Sequence, residues 1–350
     1  MIALGLALMA AAAAPAPKAL PPQPIDFGAT TMTLEPKENT SHLDGAVFFD
    51  RKDVKVTGDH AVAQFAEETK PPPKPQKGAK GKPAKAAPPA GEGSGQTLSR
   101  FVIEGAVHVD KPGPESRTAD GNHATYDGAK STLTLIGPPA VQPAGLPVSG
   151  PILREGSELM VGESVLLHLD TDEVDVVKPR IFLKRSLPGD APAKGPAQPA
   201  VPVRVEAGTL RLDQQRKVAR FREKVVIYRG DLTVKSPRMD ARYDGQGQLT
   251  TLELRGGVVM VDGDRRATGQ RADYNASTRL LVLTGDPKLY DRGDVLRGTR
   301  IEMNLDSREV KVDRASGRVR PDQHKDEGGL LSKPGDPNAP KVTPAPGAAR

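Results

Sequence analysis

Apolar and polar residues alternate one for one along much of this chain. In LTVKS, Leu232 and Val234 face one way and Thr233 and Lys235 the other. In RMDARY, Met239, Ala241 and Tyr243 alternate with Asp240 and Arg242, and the same rhythm runs through Ile301, Met303 and Leu305, then Val310 and Val312. A period of two over a few residues predicts half-buried β-strands. Turn signals separate them: RGD at 229–231, DGQG at 244–247, GDP at 285–287, DRGD at 291–294 and DS at 306–307. No helical period stands beside this pattern beyond the N-terminus. Short strands joined by short turns predict antiparallel sheet, with strands enough for a sandwich, jelly roll or barrel. VVIY (225–228) and VVMV (258–261) are apolar on both faces and read as central strands.

The chain also repeats itself. GNHATYDGAKSTLTLIGPPAV (121–141) and GQRADYNASTRLLVLTGDPKL (269–289) share a skeleton of Gly, Ala, Tyr, LxLxG and Pro. Residues 47–65 align with 225–243, residues 29–34 with 207–212, residues 105–109 with 256–260, and residues 162–176 with 298–312. Five matches in one order are an internal duplication. The spacing of the matches shrinks from 178 to 151 across residues 70–96, so those 27 residues are an insertion in the first copy. They stand where the second copy has the turn DGQGQ (244–248). A second insertion of about 12 residues is expected around 142–160. The boundary between copies falls in SLPGDAPAKGPAQPAVP, residues 186–202.

Composition narrows the function. The net charge of +6 suggests nucleic acid, but residues 70–96 hold six Lys and one Glu and supply five of those charges. The remainder is close to neutral, with 3% aromatics and no Trp for base stacking, so no nucleic-acid role is expected. The insertion reads as a disordered, extended spacer. The absence of Cys excludes disulfides, a thiolate metal site, a cysteine nucleophile and an acylated N-terminal cysteine. MIALGLALMAAAAAPAP opens with about 14 apolar residues and breaks at Pro15, the size of a signal-peptide core, with Ala14-Pro15-Ala16 as a cleavage site. No Lys or Arg precedes the apolar run, which leaves an uncleaved anchor as the alternative. Export to the periplasm is the expectation.

Reactive constellations are scarce. None of the six His (42, 60, 108, 123, 168 and 324) has a metal-ligand spacing to another. His108 and His168 correspond to Val259 and Asn304 in the second copy, which argues for structural roles. Asp170-Thr171-Asp172-Glu173 reads as a turn capped by its own side chains, as do Asp262-Gly263-Asp264 and Arg229-Gly230-Asp231. There is no GxSxG, P-loop or GxGxxG motif. The expectation is a non-enzymatic protein without metal or cofactor.

Residues 221–312 resemble the OstA-like (LptA) family of periplasmic lipopolysaccharide-transport proteins. The resemblance rests on Gly230-Asp231-Leu232, Ala241–Asp244, Gly257–Val261, Ala267-Thr268-Gly269 through Ala272-Asp273-Tyr274, Leu281–Pro287 and Gly298–Val312, taken in order. It covers nearly all of the second copy and, more loosely, the first. It implies an all-β fold of two tandem antiparallel open β-jelly-roll domains. It also implies a carrier that holds lipid A acyl chains of lipopolysaccharide between its sheets and joins other OstA-like domains through edge strands. Two departures stand out: the domain occurs twice, and the first copy carries the basic insertion.

The expected organisation is a signal peptide at 1–22, domain 1 at 23–185, a linker at 186–202, domain 2 at 203–320 and a disordered tail at 321–350. The expected groove is the inward-alternating set Leu232, Val234, Met239, Ala241, Tyr243, Leu252, Leu254, Leu281, Leu283, Ile301, Met303 and Leu305. A register error of one residue would turn that face outward. The expected partners are lipopolysaccharide, other OstA-like domains of a transport bridge and further copies of the chain itself. A membrane-tethered relative coupling a transporter to the bridge, a structural or adhesive envelope protein without lipid, and an enzyme acting on envelope polysaccharide are the competing readings.

Overall fold

The computed structural model describes residues 25–51, 53–67, 96–112, 117–142, 148–156, 158–183, 201–305, 307, 309–318 and 342–344. The expected signal peptide, all of the basic insertion except Gln96, and most of the linker and tail lie outside them. The described residues form β-strands and no helix. The N-terminal repeat contains β1 (Asp26–Gly28), β2 (Thr31–Glu35), β3 (Thr40–Arg51), β4 (Val54–Glu67), β5 (Gln96–Lys111) and β6 (Arg117–Asp127). It continues with β7 (Thr132–Ile136), β8 (Ile152–Glu155), β9 (Glu158–Val161), β10 (Ser164–His168), β11 (Glu173–Val177) and β12 (Arg180–Leu183). The C-terminal repeat contains β13 (Val203–Glu206), β14 (Thr209–Asp213), β15 (Val218–Arg229), β16 (Leu232–Tyr243), β17 (Leu249–Asp262) and β18 (Arg265–Asn275). It continues with β19 (Leu280–Thr284), β20 (Lys288–Asp291), β21 (Asp294–Arg297), β22 (Arg300–Asn304), β23 (Val310–Asp313) and β24 (Ser316–Arg318), followed by β25 (Val342–Pro344). Strands β1–β12 and β13–β24 correspond one to one.

The four long strands of each repeat serve two sheets. In the N-terminal repeat the ladder slips between Asp44 and Val47, between Thr57 and His60, and between Glu104 and Val107. In the C-terminal repeat it slips between Arg222 and Val225, between Lys235 and Arg238, and between Arg255 and Val258. Bulges bend and twist a strand, so each long strand turns there from one layer into the other. Gly105 (φ +102°) shows the local need: a Cβ would lie 2.2 Å from Oδ2 of Asp59, which accepts the Ala106 N–H at 2.9 Å. Pro237, which cannot donate to a ladder, stands within the slip of β16.

Sheet I runs β2, the first half of β3, the second half of β4, the first half of β5, the second half of β6, then β7, β10 and β11. Sheet II runs β1, the complementary halves of β3 to β6, then β8, β9 and β12. The C-terminal repeat is built the same way. Each repeat is thus an open antiparallel jelly roll, hinged along its bulges, with hairpin tips along the open side.

Neither sheet stops at the end of the first repeat. β11 pairs with β14 over Glu173–Val177, and β12 pairs with β13 over Arg180–Leu183. Both joints are antiparallel, and buried side chains of the two repeats form one contiguous core. At the far end β25 runs parallel to β23. Buried Leu, Ile and Phe side chains such as Leu135, Leu283, Ile301 and Phe101 each contribute roughly 1.5–3 kcal/mol.

One local expectation is narrowed. The second insertion lies before Ile152, because β8 and β9 are the counterparts of β20 and β21; the extra residues lengthen the β7–β8 connection. The insertion at 70–96 does fall between two paired strands, with Glu67 opposite Gln96. VVIY and VVMV are central strands. Val225 and Val258 are buried, while the outer-face ring of Tyr228 lies under Arg204, whose guanidinium carbon is 4.3 Å from the ring centroid.

Candidate functional site: an apolar slot between the sheets

Alternation sends every second side chain of each strand between the sheets. In the C-terminal repeat these side chains do not fill the gap. A cavity of about 740 Å³ remains, within the range of small-molecule sites. Its sheet I wall includes Leu210, Leu212, Phe221, Met239, Leu252 and Leu281, and its sheet II wall Val205, Ile227, Leu232, Val234 and Met260. It continues across the joint to Leu153, Met160, Leu167, Val174 and Ile181 of the N-terminal repeat. Polar and charged residues stand where the hairpin tips open: Lys111, Arg117, Glu155, Asp172, Gln214 and Lys217. The arrangement is an apolar interior beneath a mixed-charge rim.

Nine of the twelve residues expected from alternation line this cavity: Leu232, Val234, Met239, Ala241, Tyr243, Leu252, Leu254, Leu281 and Leu305. Leu305 is 49% exposed at the end of β22. The other three do not reach it. Leu283 and Ile301 face each other on β19 and β22, are 0% exposed and belong to the packed core. Met303 packs against that core. Their inward direction was legible, but the gap between the sheets is already filled by neighbouring side chains there, so they support the wall rather than form it.

The sequence reading missed the contribution of the first repeat. Leu153, Met160, Leu167 and Ile181 come from β8, β9, β10 and β12 and reach the cavity because the sheets run on across the joint. Nothing in the chain's local pattern encodes that continuity.

The interior of the N-terminal repeat differs. Phe27, Phe49, Phe65, Phe101 and Tyr126 occupy the positions matched by Val205, Ile227, Tyr243, Leu252 and Tyr274. The pair registers fix this equivalence: Phe27 faces Phe49 and Phe101 faces Tyr126, as Val205 faces Ile227 and Leu252 faces Tyr274. The rings pack at centroid distances of 5.0 Å (Phe49–Tyr126), 5.5 Å (Phe49–Phe101), 5.6 Å (Phe27–Phe101) and 6.0 Å (Phe27–Phe65). All five second-repeat counterparts line the cavity, and none of the five rings does.

The open side of the N-terminal repeat is also tied across. Arg51, 6% exposed at the end of β3, donates to Asp170 at 2.6 Å in the β10–β11 turn. Lys111 pairs with Asp172 in the same turn. Arg117 donates to Glu155 at 2.8 Å and to Gln214 of the C-terminal repeat at 2.9 Å, spanning the joint. Burial pushes the Asp170 carboxyl up, but hydrogen bonds from Arg51 and Ser131 outweigh it and hold the group below its ordinary range.

Tyr243 is the most perturbed group on the wall. Burial, reinforced by the Glu158 and Glu155 carboxylates, pushes its phenol up to about 12, so it stays neutral. Three of the described histidines stand in cross-strand or local pairs: His60 with Asp44 at 2.8 Å, His108 with Asp120 at 2.6 Å, and His168 with Asp175 at 2.9 Å. Among the described residues no three His, Cys, Asp or Glu side chains converge as metal ligands.

Comparison with known proteins was made on this geometry. A family model described as LptA/(LptD N-terminal domain) LPS transport protein matches residues 204–309. An uncharacterized protein of Rhizobium meliloti (strain 1021) is 23% identical over 128 residues, covering 34% of this chain and 69% of that protein. The LPS-assembly protein LptD of Pseudomonas syringae pv. syringae (strain B728a) is 33% identical over 90 residues, 23% of this chain and 10% of LptD. This chain therefore spans about a tenth of that relative. Among solved structures, LptH, the LptA homologous periplasmic component of the lipopolysaccharide transport device of Pseudomonas aeruginosa, aligns at 18% identity and a TM-score of 0.32, over 35% of this chain and 96% of LptH. The match over 204–309, which holds most of the ordered motifs of residues 221–312, thus places the likeness to the OstA/LptA-like lipopolysaccharide-transport family in the C-terminal repeat.

Proposed function

We propose that the chain is a non-enzymatic periplasmic carrier that holds the acyl chains of lipopolysaccharide in the slot between its sheets and acts as one element of a bridge between the membranes. The observation that carries this reading is the 740 Å³ aliphatic cavity in the repeat that matches the family. Each acyl CH₂ taken from water into such a space contributes about 0.8 kcal/mol. The rim carries both cations and carboxylates, and Lys111, Arg117 and Lys217 are within reach of the phosphates of a lipid headgroup at the slot's mouth.

The joint between repeats supports the assembly half of the reading. β14 is covered on one side by β11, whereas its counterpart β2 pairs only with β3 among the described residues. Met32 and Leu34 on β2 are accordingly 50% and 62% exposed, while Leu210, the counterpart of Met32, is 2% exposed and Leu212, that of Leu34, is half-buried. An edge that the chain covers internally in one repeat and leaves bare in the other fits strand addition by another domain of this kind.

Binding of lipopolysaccharide to Leu252→Arg and Ile227→Arg variants tests the reading. Both positions are half-buried on the cavity wall. Folded variants that lose binding support it, and folded variants that bind as the native protein does overturn it.

A further inference from the structure

The two repeats share a strand plan but not an interior. Four Phe and one Tyr meet inside the first, where the second has Val205, Ile227, Tyr243, Leu252 and Tyr274 around an open slot. Six of the seven Phe of the chain precede residue 186. Exchanges in the other direction exist: Leu43 against Phe221, Ala61 against Met239, and Val109 against Met260. They do not close the second repeat, since Phe221, Met239 and Met260 stand on the wall of its cavity. Met is unbranched and adaptable, suited to a wall that must fit chains of varied shape. The aromatic cluster of the first repeat is instead a mutually packed plug of rigid rings, at the density of a protein interior.

We infer that acyl chains fill the C-terminal repeat, the joint and the Val54–Val109 side of the N-terminal repeat, and stop at its five packed rings, which make a closed end. The inference rests on the carrier reading above and deepens it. The rings end the slot on the N-terminal side, so cargo enters and leaves along the open rim beside the hairpin tips. The first repeat then supplies a wall, through Leu153, Met160, Leu167 and Ile181 near the joint and Val54, Val109, Ala119 and Leu169 farther in, and an edge for assembly.

The absence of Trp makes the test clean. Single-Trp variants of the full chain are prepared in matched pairs: Phe65→Trp with Tyr243→Trp, and Phe101→Trp with Leu252→Trp. Each is titrated with 9,10-dibromostearate, whose bromines quench a Trp they touch. Phe65 and Tyr243 are both partly buried and accept a larger ring, which keeps the test available if Phe101→Trp does not fold. The expected result is loss of emission from Tyr243→Trp and Leu252→Trp, with Phe65→Trp and Phe101→Trp unchanged. Adding Phe27→Val and Phe49→Ile, the residues of the second repeat, to Phe65→Trp should make that probe quenchable. Equal quenching in both repeats of otherwise native protein overturns the closed end while leaving the carrier reading standing. Quenching in neither repeat overturns the carrier reading and the inference together.

Discussion

Val176 of the N-terminal repeat lies opposite Leu210 of the C-terminal repeat in an antiparallel pair, and the two are 1% and 2% exposed. This contact turns a tandem duplication into one two-layered body, because the neighbouring β12–β13 pair continues the other sheet across the same boundary. Leu210→Ala should cost about 2–5 kcal/mol, the usual range for emptying a buried Leu site. Val176→Pro removes a ladder donor at the joint and should split one cooperative denaturation into two steps. Guanidinium titration followed by circular dichroism reads both effects. Retention of a single transition in Val176→Pro would show that the joint does not couple the repeats.

Tyr243 makes stability depend on alkaline pH. The fold raises its phenol from an ordinary value near 10 to about 12, so the folded state favours the neutral form. That contribution is complete below about pH 10 and is lost as pH rises toward 12, a loss on the order of 2–3 kcal/mol. In Tyr243→Phe this part of the alkaline destabilisation should vanish. Denaturant midpoints measured at intervals from pH 9 to about 12 should therefore show the native protein losing stability relative to Tyr243→Phe.

The latch across the first repeat should be asymmetric. Arg51 is buried and Asp170 half-exposed, so Asp170→Asn leaves a buried cation without the negative charge of its 2.6 Å partner. A loss of about 1–3 kcal/mol follows. Asp53, 3.6 Å from the same guanidinium and 39% exposed, should cost no more than about 0.5 kcal/mol as Asp53→Asn. Because the Asp170 carboxyl is held low, its contribution is present above about pH 4 and fades as pH falls through its depressed value. Thermal melts at pH 7 rank the two variants.

Two Arg substitutions on the inward faces should behave differently. Leu252→Arg places a charge on the wall of an open cavity, where its stem can reach toward the rim. It should abolish lipopolysaccharide binding while the protein stays folded. Ile301→Arg forces a charge into a site that is 0% exposed and filled, and should unfold the C-terminal repeat instead. Far-ultraviolet circular dichroism beside a binding assay separates these outcomes.

Much of this was legible in the chain. Alternation in LTVKS and RMDARY located β16 and its inward face, and the ordered repeat implied two like sets of strands, which the structure shows as twelve matched with twelve. Alternation reports direction, not distance. It therefore placed Leu283 and Ile301 with Leu281 and Leu252, although only the latter two meet empty space. The contribution of Leu153 and Ile181 depends on β12 pairing with β13 across a long connection, a tertiary choice that strand period cannot encode. The aromatic plug was visible as composition, in the skew of Phe toward the first repeat. Its meaning required the register that sets Phe27 against Phe49 and Val205 against Ile227.

Native mass spectrometry of the protein isolated from its envelope without harsh detergent addresses the central claim directly. The account predicts a co-purifying mass of lipopolysaccharide or lipid A, lost in Leu252→Arg and retained in Asp53→Asn. Native protein that arrives lipid-free and takes up no added lipopolysaccharide would contradict it, and would leave the slot between the sheets without the cargo assigned to it.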